Sequence, residues 1–369
     1  MNFTALNRTI ITCGLSFLPL NPENVSPDLR AVFIVGIAIN ALTSPLIILL
    51  NILVMVAVKT KRQLRTKSNI ALACLATSDL LVGLLVQPLH IIHTSFLLSG
   101  QGNIFCKLEK VLTIVTGKCL KASFTHLILM SAERYVAVRH PFTYENHVTE
   151  LRIIIAFGLA WVIAILLPNE DVLKTDTDFV SNFVVFIVVP VLLYFPAMIY
   201  FNCVIYKEVR RNEKQIAANQ VSLEAKEKLL KNKKAFYTTT VVLLVFIVCF
   251  IPVNICFGVL ASTANRNPAN GGQTVIYLLP LIPVLNSLFN PLIYSVRIRC
   301  FRVAFIQLLT RKTVSQAEEL EKKMFGPRQI GVITNVEQEQ NIRASREDVR
   351  QGRETFDNGL DITQCEQRC

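Results

Sequence analysis

The 369-residue chain predicts an all-α membrane protein: a seven-transmembrane helix bundle with its N-terminus outside and a short amphipathic helix after the seventh span. Three observations predict this. Hydrophobic residues make up 52% of the chain and charged residues only 17%, where a soluble domain carries ~25% charged residues. The apolar residues gather in seven runs, at about 33–58, 69–98, 105–138, 153–168, 179–206, 235–261 and 274–296. Basic residues crowd alternate loops. A helix needs ~20 apolar residues to cross the hydrocarbon core. In lipid each backbone polar group needs an internal partner, so the runs are expected to be helices.

Residues 1–32 read as an extracellular tail with three glycosylation sequons, at Asn2, Asn7 and Asn24. No basic segment precedes the weak apolar stretch Ile10–Leu20, so the first helix is expected to act as the signal anchor. The first loop carries Lys59, Lys61, Arg62, Arg65 and Lys67 and no acid. The fifth loop, 207–234, carries nine basic residues against four glutamates. The loop 169–178 is acidic instead, with Glu170, Asp171, Asp176 and Asp178 against Lys174. Positive-inside bias puts the basic loops in the cytoplasm and the N-terminus outside. The formal net charge of +12 is mostly membrane topology, so nucleic acid is not an expected partner.

The bundle is expected to occupy 33–297. Residues 212–234 are rich in helix formers and should extend the fifth and sixth helices inward. Apolar and basic residues alternate at helical spacing in 298–311, which suits an interfacial amphipathic helix. The tail 312–369 is polar and charged and reads as disordered. Within it, Thr313 after Arg311-Lys312 and Ser345 after Arg343 suit basophilic kinases.

Two polar sets stand at the inner ends of runs. Glu133-Arg134-Tyr135 closes the third, and Asn290-Pro291-Leu292-Ile293-Tyr294 closes the seventh. An ion pair at the membrane edge is costly to bury unless it is used. Further marks fall in order: Asn51, Leu75-Ala76-Thr77-Ser78-Asp79, the lone Trp161, Phe246 through Phe250 and Pro252, and Asn286-Ser287. With these motifs the chain resembles the rhodopsin-like (class A) G-protein-coupled receptors over about 33–310. Its flavour is that of the adenosine, melanocortin, lysophospholipid and cannabinoid side, not of an opsin or a typical amine receptor.

The resemblance implies a non-enzymatic plasma-membrane receptor. An extracellular small-molecule, lipid or peptide ligand would activate a heterotrimeric G protein through outward motion of helix six. Arrestin and receptor kinases are implied as further partners. Arg134 is expected to rest against Glu133 and swing to the G protein, with Tyr135 beside it and Phe142 inserting into the partner. The acid that relatives carry twenty residues before the helix-six proline is Asn232 here, so basal signalling should be raised. Pro252 and Pro291 each free a carbonyl and supply a hinge. Phe246 and Phe250 suit either a rotamer switch or plain core packing. Asp79 is the only carboxylate in the middle of a run, where a bare charge costs ~2.5–3.5 kcal/mol. Two readings stand: an allosteric sodium ion held by Asp79, Ser123, Asn286, Ser287 and Asn290, or a protonated Asp79 tying helices together.

Several positions depart from the family pattern. The loop 169–178 has no cysteine, so the usual bridge to Cys106 cannot form. A Cys13–Cys106 bridge or free thiols remain. Thr116 stands where amine receptors carry an aspartate. Lys121 lies ~22 Å along its helix from Cys106, too deep to snorkel easily. With His90, His93 and Thr116 it could hold an anionic or lipid-like head group; the alternative is a neutral lysine. Cys300 suits palmitoylation or structural burial. The remaining classes are a seven-helix transporter, a membrane enzyme and a non-signalling decoy. Neither an inverted repeat nor a catalytic motif supports the first two.

Overall fold

A computed structural model of the chain describes residues 25–167, 194–218, 223–263, 278–279 and 281–326. The outer tail, with Asn2, Asn7, Asn24 and Cys13, and the acidic loop 169–178 lie outside the described residues. Seven helices correspond to the runs: α1 Pro27–Thr60, α2 Lys67–Leu98, α3 Gly102–Arg139, α4 Glu150–Leu166, α5 Phe195–Ala218, α6 Leu223–Thr263 and α7 Leu281–Arg297. Among the described residues, four are long and apolar enough to span a membrane alone. A short helix, Pro141–His147, lies at 87° to α4 and makes a fifth candidate with it.

The boundaries follow local chemistry. Ser26 caps α1 by accepting from the Leu29 amide at 3.3 Å, and Pro27 suits the first turn because its missing N–H has no intrahelical partner there. The helix therefore starts six residues before the apolar run does. Thr66 and Thr149 cap α2 and α4 in the same way. In α2 the turn Val82–Val86 widens to a π-helix just ahead of Pro88, which has no N–H to give. The Ser44 hydroxyl donates to the Gly83 carbonyl there at 2.9 Å. A Cβ on Gly83 would lie 3.0 Å from both Ile47 and Ile48, so glycine lets α1 and α2 approach. Broad apolar faces, such as Ile34, Leu42, Leu46 and Leu49 on α1, stay exposed and suit contact with lipid.

The described residues divide after Arg297 into two compact units. The second holds α8 Arg299–Thr310 and α9 Val314–Phe325. The tail was expected to be disordered from 312; residues 314–325 are instead a helix. Thr313 and Gln316 close a capping box at its start, and Ala317 and Glu321 bury one stripe. Composition hid this because the stripe holds a carboxylate where apolar residues would have announced a helix. Residues 327–369 lie outside the described set.

Candidate functional site

The inner edge of α3 carries a closed polar cluster. The Arg134 guanidinium is 4% exposed, and its Nε donates to Glu133 Oε2 at 2.5 Å, with a second donation from Nη2 to Oε1. Tyr144, on the short helix, donates its hydroxyl to Glu133 Oε1, and Arg134 Nη2 lies 3.3 Å from that hydroxyl. Burial first, and then the Glu133 carboxylate, hold the Tyr144 hydroxyl above its usual range, so it stays a donor. Lys67 covers the same ring at 4.7 Å. Sequence reading missed Tyr144, which lies three residues after Pro141 with nothing in its neighbourhood to mark it. Tyr135 turns away toward Phe201 and His140, and Phe142 is 85% exposed.

Further ion pairs join the inner ends. Arg139 on α3 meets both oxygens of Glu208 on α5 at 3.2 Å, and Arg211 meets Glu208 at 2.6 Å. Glu213 on α5 pairs with Lys233 on α6. The Asn232 side chain lies outside the described set.

At mid-bundle, Asp79 is 1% exposed and accepts from Asn290 Nδ2 at 2.8 Å and from the Ser287 hydroxyl. Asn51 donates to the Ser287 carbonyl at 3.2 Å, linking α1 to α7. Ser123, Asn286 and Tyr294 are buried as well. The amide oxygens of Asn286 and Asn290 accept no hydrogen bond among the described residues. Hard oxygen acceptors around one carboxylate are the donor set that a small monovalent cation takes.

The core between α3 and α6 is aromatic. Phe246 and Phe250 stand 4.2 Å apart between ring centres, and Phe124 meets both, at 4.8 and 5.2 Å. Phe124 was missed because a lone phenylalanine in an apolar run has no distinguishing neighbours. Pro252 and Pro291 lie inside α6 and α7.

The outer half separates the expected ligand residues. His93 is buried, stacked on Phe105 at 4.1 Å, with its Nε2 2.6 Å from Glu109 Oε2. His90 lies one turn before it, near Thr94 at 3.4 Å. Glu109 was unflagged because it sits near the outer end of α3, where charge is unremarkable by sequence. Lys118 turns to α4, donating to the carbonyls of Ile165 at 2.9 Å and of Leu167. Lys121 and Thr116 are half-buried. Cys106 is disulfide-bonded, whereas Cys300 is half-buried and not part of a disulfide. No group of three metal-ligating side chains occurs among the described residues.

Residues 50–294 match the family described as 7 transmembrane receptor (rhodopsin family). The chain is 29% identical to the histamine H2 receptor of Rattus norvegicus over 285 residues, covering 72% of this chain and 76% of the relative. It is 30% identical to the Homo sapiens H2 receptor over 276 residues, 70% and 74% of the two chains. It is 26% identical to the Homo sapiens adenosine receptor A2a over 319 residues, 77% and 74% of the two. A seven-helix bundle with an arginine–glutamate pair buried at the inner edge of α3, matched over well over half its length, belongs to the rhodopsin family of seven-transmembrane G-protein-coupled receptors, which are membrane receptors and not enzymes.

Proposed function

We propose that this receptor takes an extracellular ligand with an anionic or lipid-like head and, at the plasma membrane, activates a heterotrimeric G protein by an outward swing of the inner end of α6. The observation that carries the signalling half is the Glu133–Arg134–Tyr144 cluster. A guanidinium held by one carboxylate and one hydroxyl is a restraint that a competing partner can break. Phe142, exposed on the short helix beside it, is the apolar residue for that partner. Pro252 and Pro291 supply hinges, and Phe246 and Phe250 repack between them. Arrestin and receptor kinases complete the proposed cytoplasmic partners.

Asp79, Ser123, Asn286, Ser287 and Asn290 fit a sodium ion, because two amide oxygens there have no donor of their own. Bound sodium would supply positive charge that stabilises the inactive packing. In the outer half, Lys121, Thr116 and His90 are assigned to the ligand's head group. His93 is assigned to orienting that pocket, since Glu109 already holds it. A second reading has one specific support: Glu109 is a carboxylate that could pair with a cationic ligand, and the H2 relatives are named for an amine. Cys106 is assigned a bridge to Cys13, as none of the other six described cysteines is disulfide-bonded. Glycans at Asn2, Asn7 and Asn24 and an acyl chain on Cys300 are further assignments.

The test is nucleotide exchange in membranes holding the wild type, Arg134→Ala, Lys121→Ala and Glu109→Gln. Exchange lost in Arg134→Ala supports the coupling role. A carboxylate or phosphate ligand whose response vanishes in Lys121→Ala supports the anionic reading. An amine response lost only in Glu109→Gln replaces it with the cationic one.

A further inference from the structure

The Glu133–Arg134–Tyr144 cluster has its three members on α3 and the short helix, so none of these bonds crosses to α6. Two other polar contacts join the inner arm of α6, below Pro252, to α5. Lys233 pairs with Glu213 near the surface, where solvent keeps an ion pair weak. The second contact is interior. Thr240 Oγ1 lies 3.2 Å from Asn202 Oδ1 of α5 and 2.9 Å from the Phe236 carbonyl one turn back. Asn202 Nδ2 donates to the Met198 carbonyl at 2.9 Å and faces the Ser131 hydroxyl of α3 at 3.5 Å. One amide on α5 therefore meets α6 with its oxygen and α3 with its nitrogen. Both hydroxyls can donate or accept, so either orientation of the amide keeps the bridge.

The layers on each side of this bridge are apolar. Toward the cytoplasm, Val138, Ile205, Val209 and Phe236 pack together from the same three helices. On the other side stand Phe124, Phe246 and Phe250. Apolar surfaces can slide over one another, whereas a hydrogen bond weakens steeply once its distance and angle are lost. The polar bridge is thus the contact that fixes where the arm rests. Thr240 lies 12 residues before Pro252, ~18 Å along the helix, so a modest bend at the proline separates it from Asn202.

We propose that Asn202 is the latch of α6: it holds the inner arm closed through Thr240, braced on α3 by Ser131, and the outward swing breaks the Thr240 bond. This rests on the swing given under the proposed function. With Asn232 in place of an acid, a neutral bond does what a charged one would do more strongly. The arm is therefore held, but lightly.

Basal nucleotide exchange, with full-length receptor in membranes, purified heterotrimeric G protein and no ligand, tests this. Amide exchange over 233–246, without G protein, reads the arm itself. Asn202→Leu and Thr240→Val should each raise basal nucleotide exchange about fivefold, the worth of one neutral hydrogen bond. Both should speed amide exchange in the arm and leave α4 unchanged. The Asn202→Leu/Thr240→Val double variant should match the single ones, because one bond is lost only once. Thr240→Ser keeps the hydroxyl and should behave as wild type. Unchanged amide exchange in the arm of either single variant overturns the latch. So does a double variant raised about 25-fold, the product of independent effects, or a Thr240→Ser that behaves as Thr240→Val. Faster amide exchange in the arm with unchanged nucleotide exchange supports the hold on α6 and overturns the coupling of its swing to the G protein.

Discussion

Two buried polar centres of the bundle accommodate their charge by different routes. At the inner edge, Glu133 and Arg134 cancel each other, and Tyr144 completes the set from a separate helix. At mid-bundle, Asp79 meets amide and hydroxyl donors, and two nearby amide oxygens accept no hydrogen bond among the described residues. The first centre is complete within the protein, so something must break it. The second has acceptor capacity to spare, so something can enter it. A switch needs both kinds: one restraint to release, and one site whose occupancy sets the balance.

Removing a charge from the complete centre breaks this contrast most severely. Arg134→Ala leaves the Glu133 carboxylate without its cation and should destabilise the receptor by ~3–5 kcal/mol. It should also abolish nucleotide exchange; a thermal shift assay beside the exchange assay reads both. Tyr144→Phe keeps the ion pair and removes one charged hydrogen bond, ~1.5–3 kcal/mol. Basal exchange should rise, and an unchanged basal rate would show that Tyr144 only fills space. Sodium sharpens the other side of the contrast. At ten times its Kd it should raise wild-type stability by about 1.4 kcal/mol and do nothing for Asp79→Asn. Asn232→Glu should lower basal exchange slightly, since a new pair near the surface gives ~1 kcal/mol at most. Near neutral pH the smallest effect belongs to Glu321. Burial alone would raise its carboxyl, but hydrogen bonds from Arg302 and Arg299 leave it below the ordinary 4.5. A depressed acid stabilises above its unfolded pKa, so the α8–α9 pair should hold at pH 5 and loosen only as the pH falls below 4.5 through the folded value. Amide exchange over 313–325 would follow this.

Much of the bundle was legible from the chain. The apolar runs place α1 to α4 within a few residues, because length and hydropathy are properties of the segment itself. Asp79, Arg134 and Asn290 stood out because polar groups in lipid are rare. Tyr144, Glu109, Phe124 and Glu208 did not. Each has an ordinary neighbourhood in sequence and becomes informative only beside a residue from another helix: Tyr144 at Glu133, Glu109 at His93, Phe124 at Phe246, Glu208 at Arg139. The helix Val314–Phe325 escaped for a related reason, since its buried stripe is held by a carboxylate on two arginines of α8.

The amino-acid sequence by itself determined the span pattern, the orientation and the residues that lipid makes expensive. Those follow from transfer free energies and loop charge, which act segment by segment. Only the tertiary structure decided which partners those residues meet. A hydrogen bond or ion pair forms within about 3 Å, and helix faces separated by tens of residues come that close only once the bundle has assembled. That is why Arg134 could be found from its place in the chain, and Tyr144 only from its place beside Glu133.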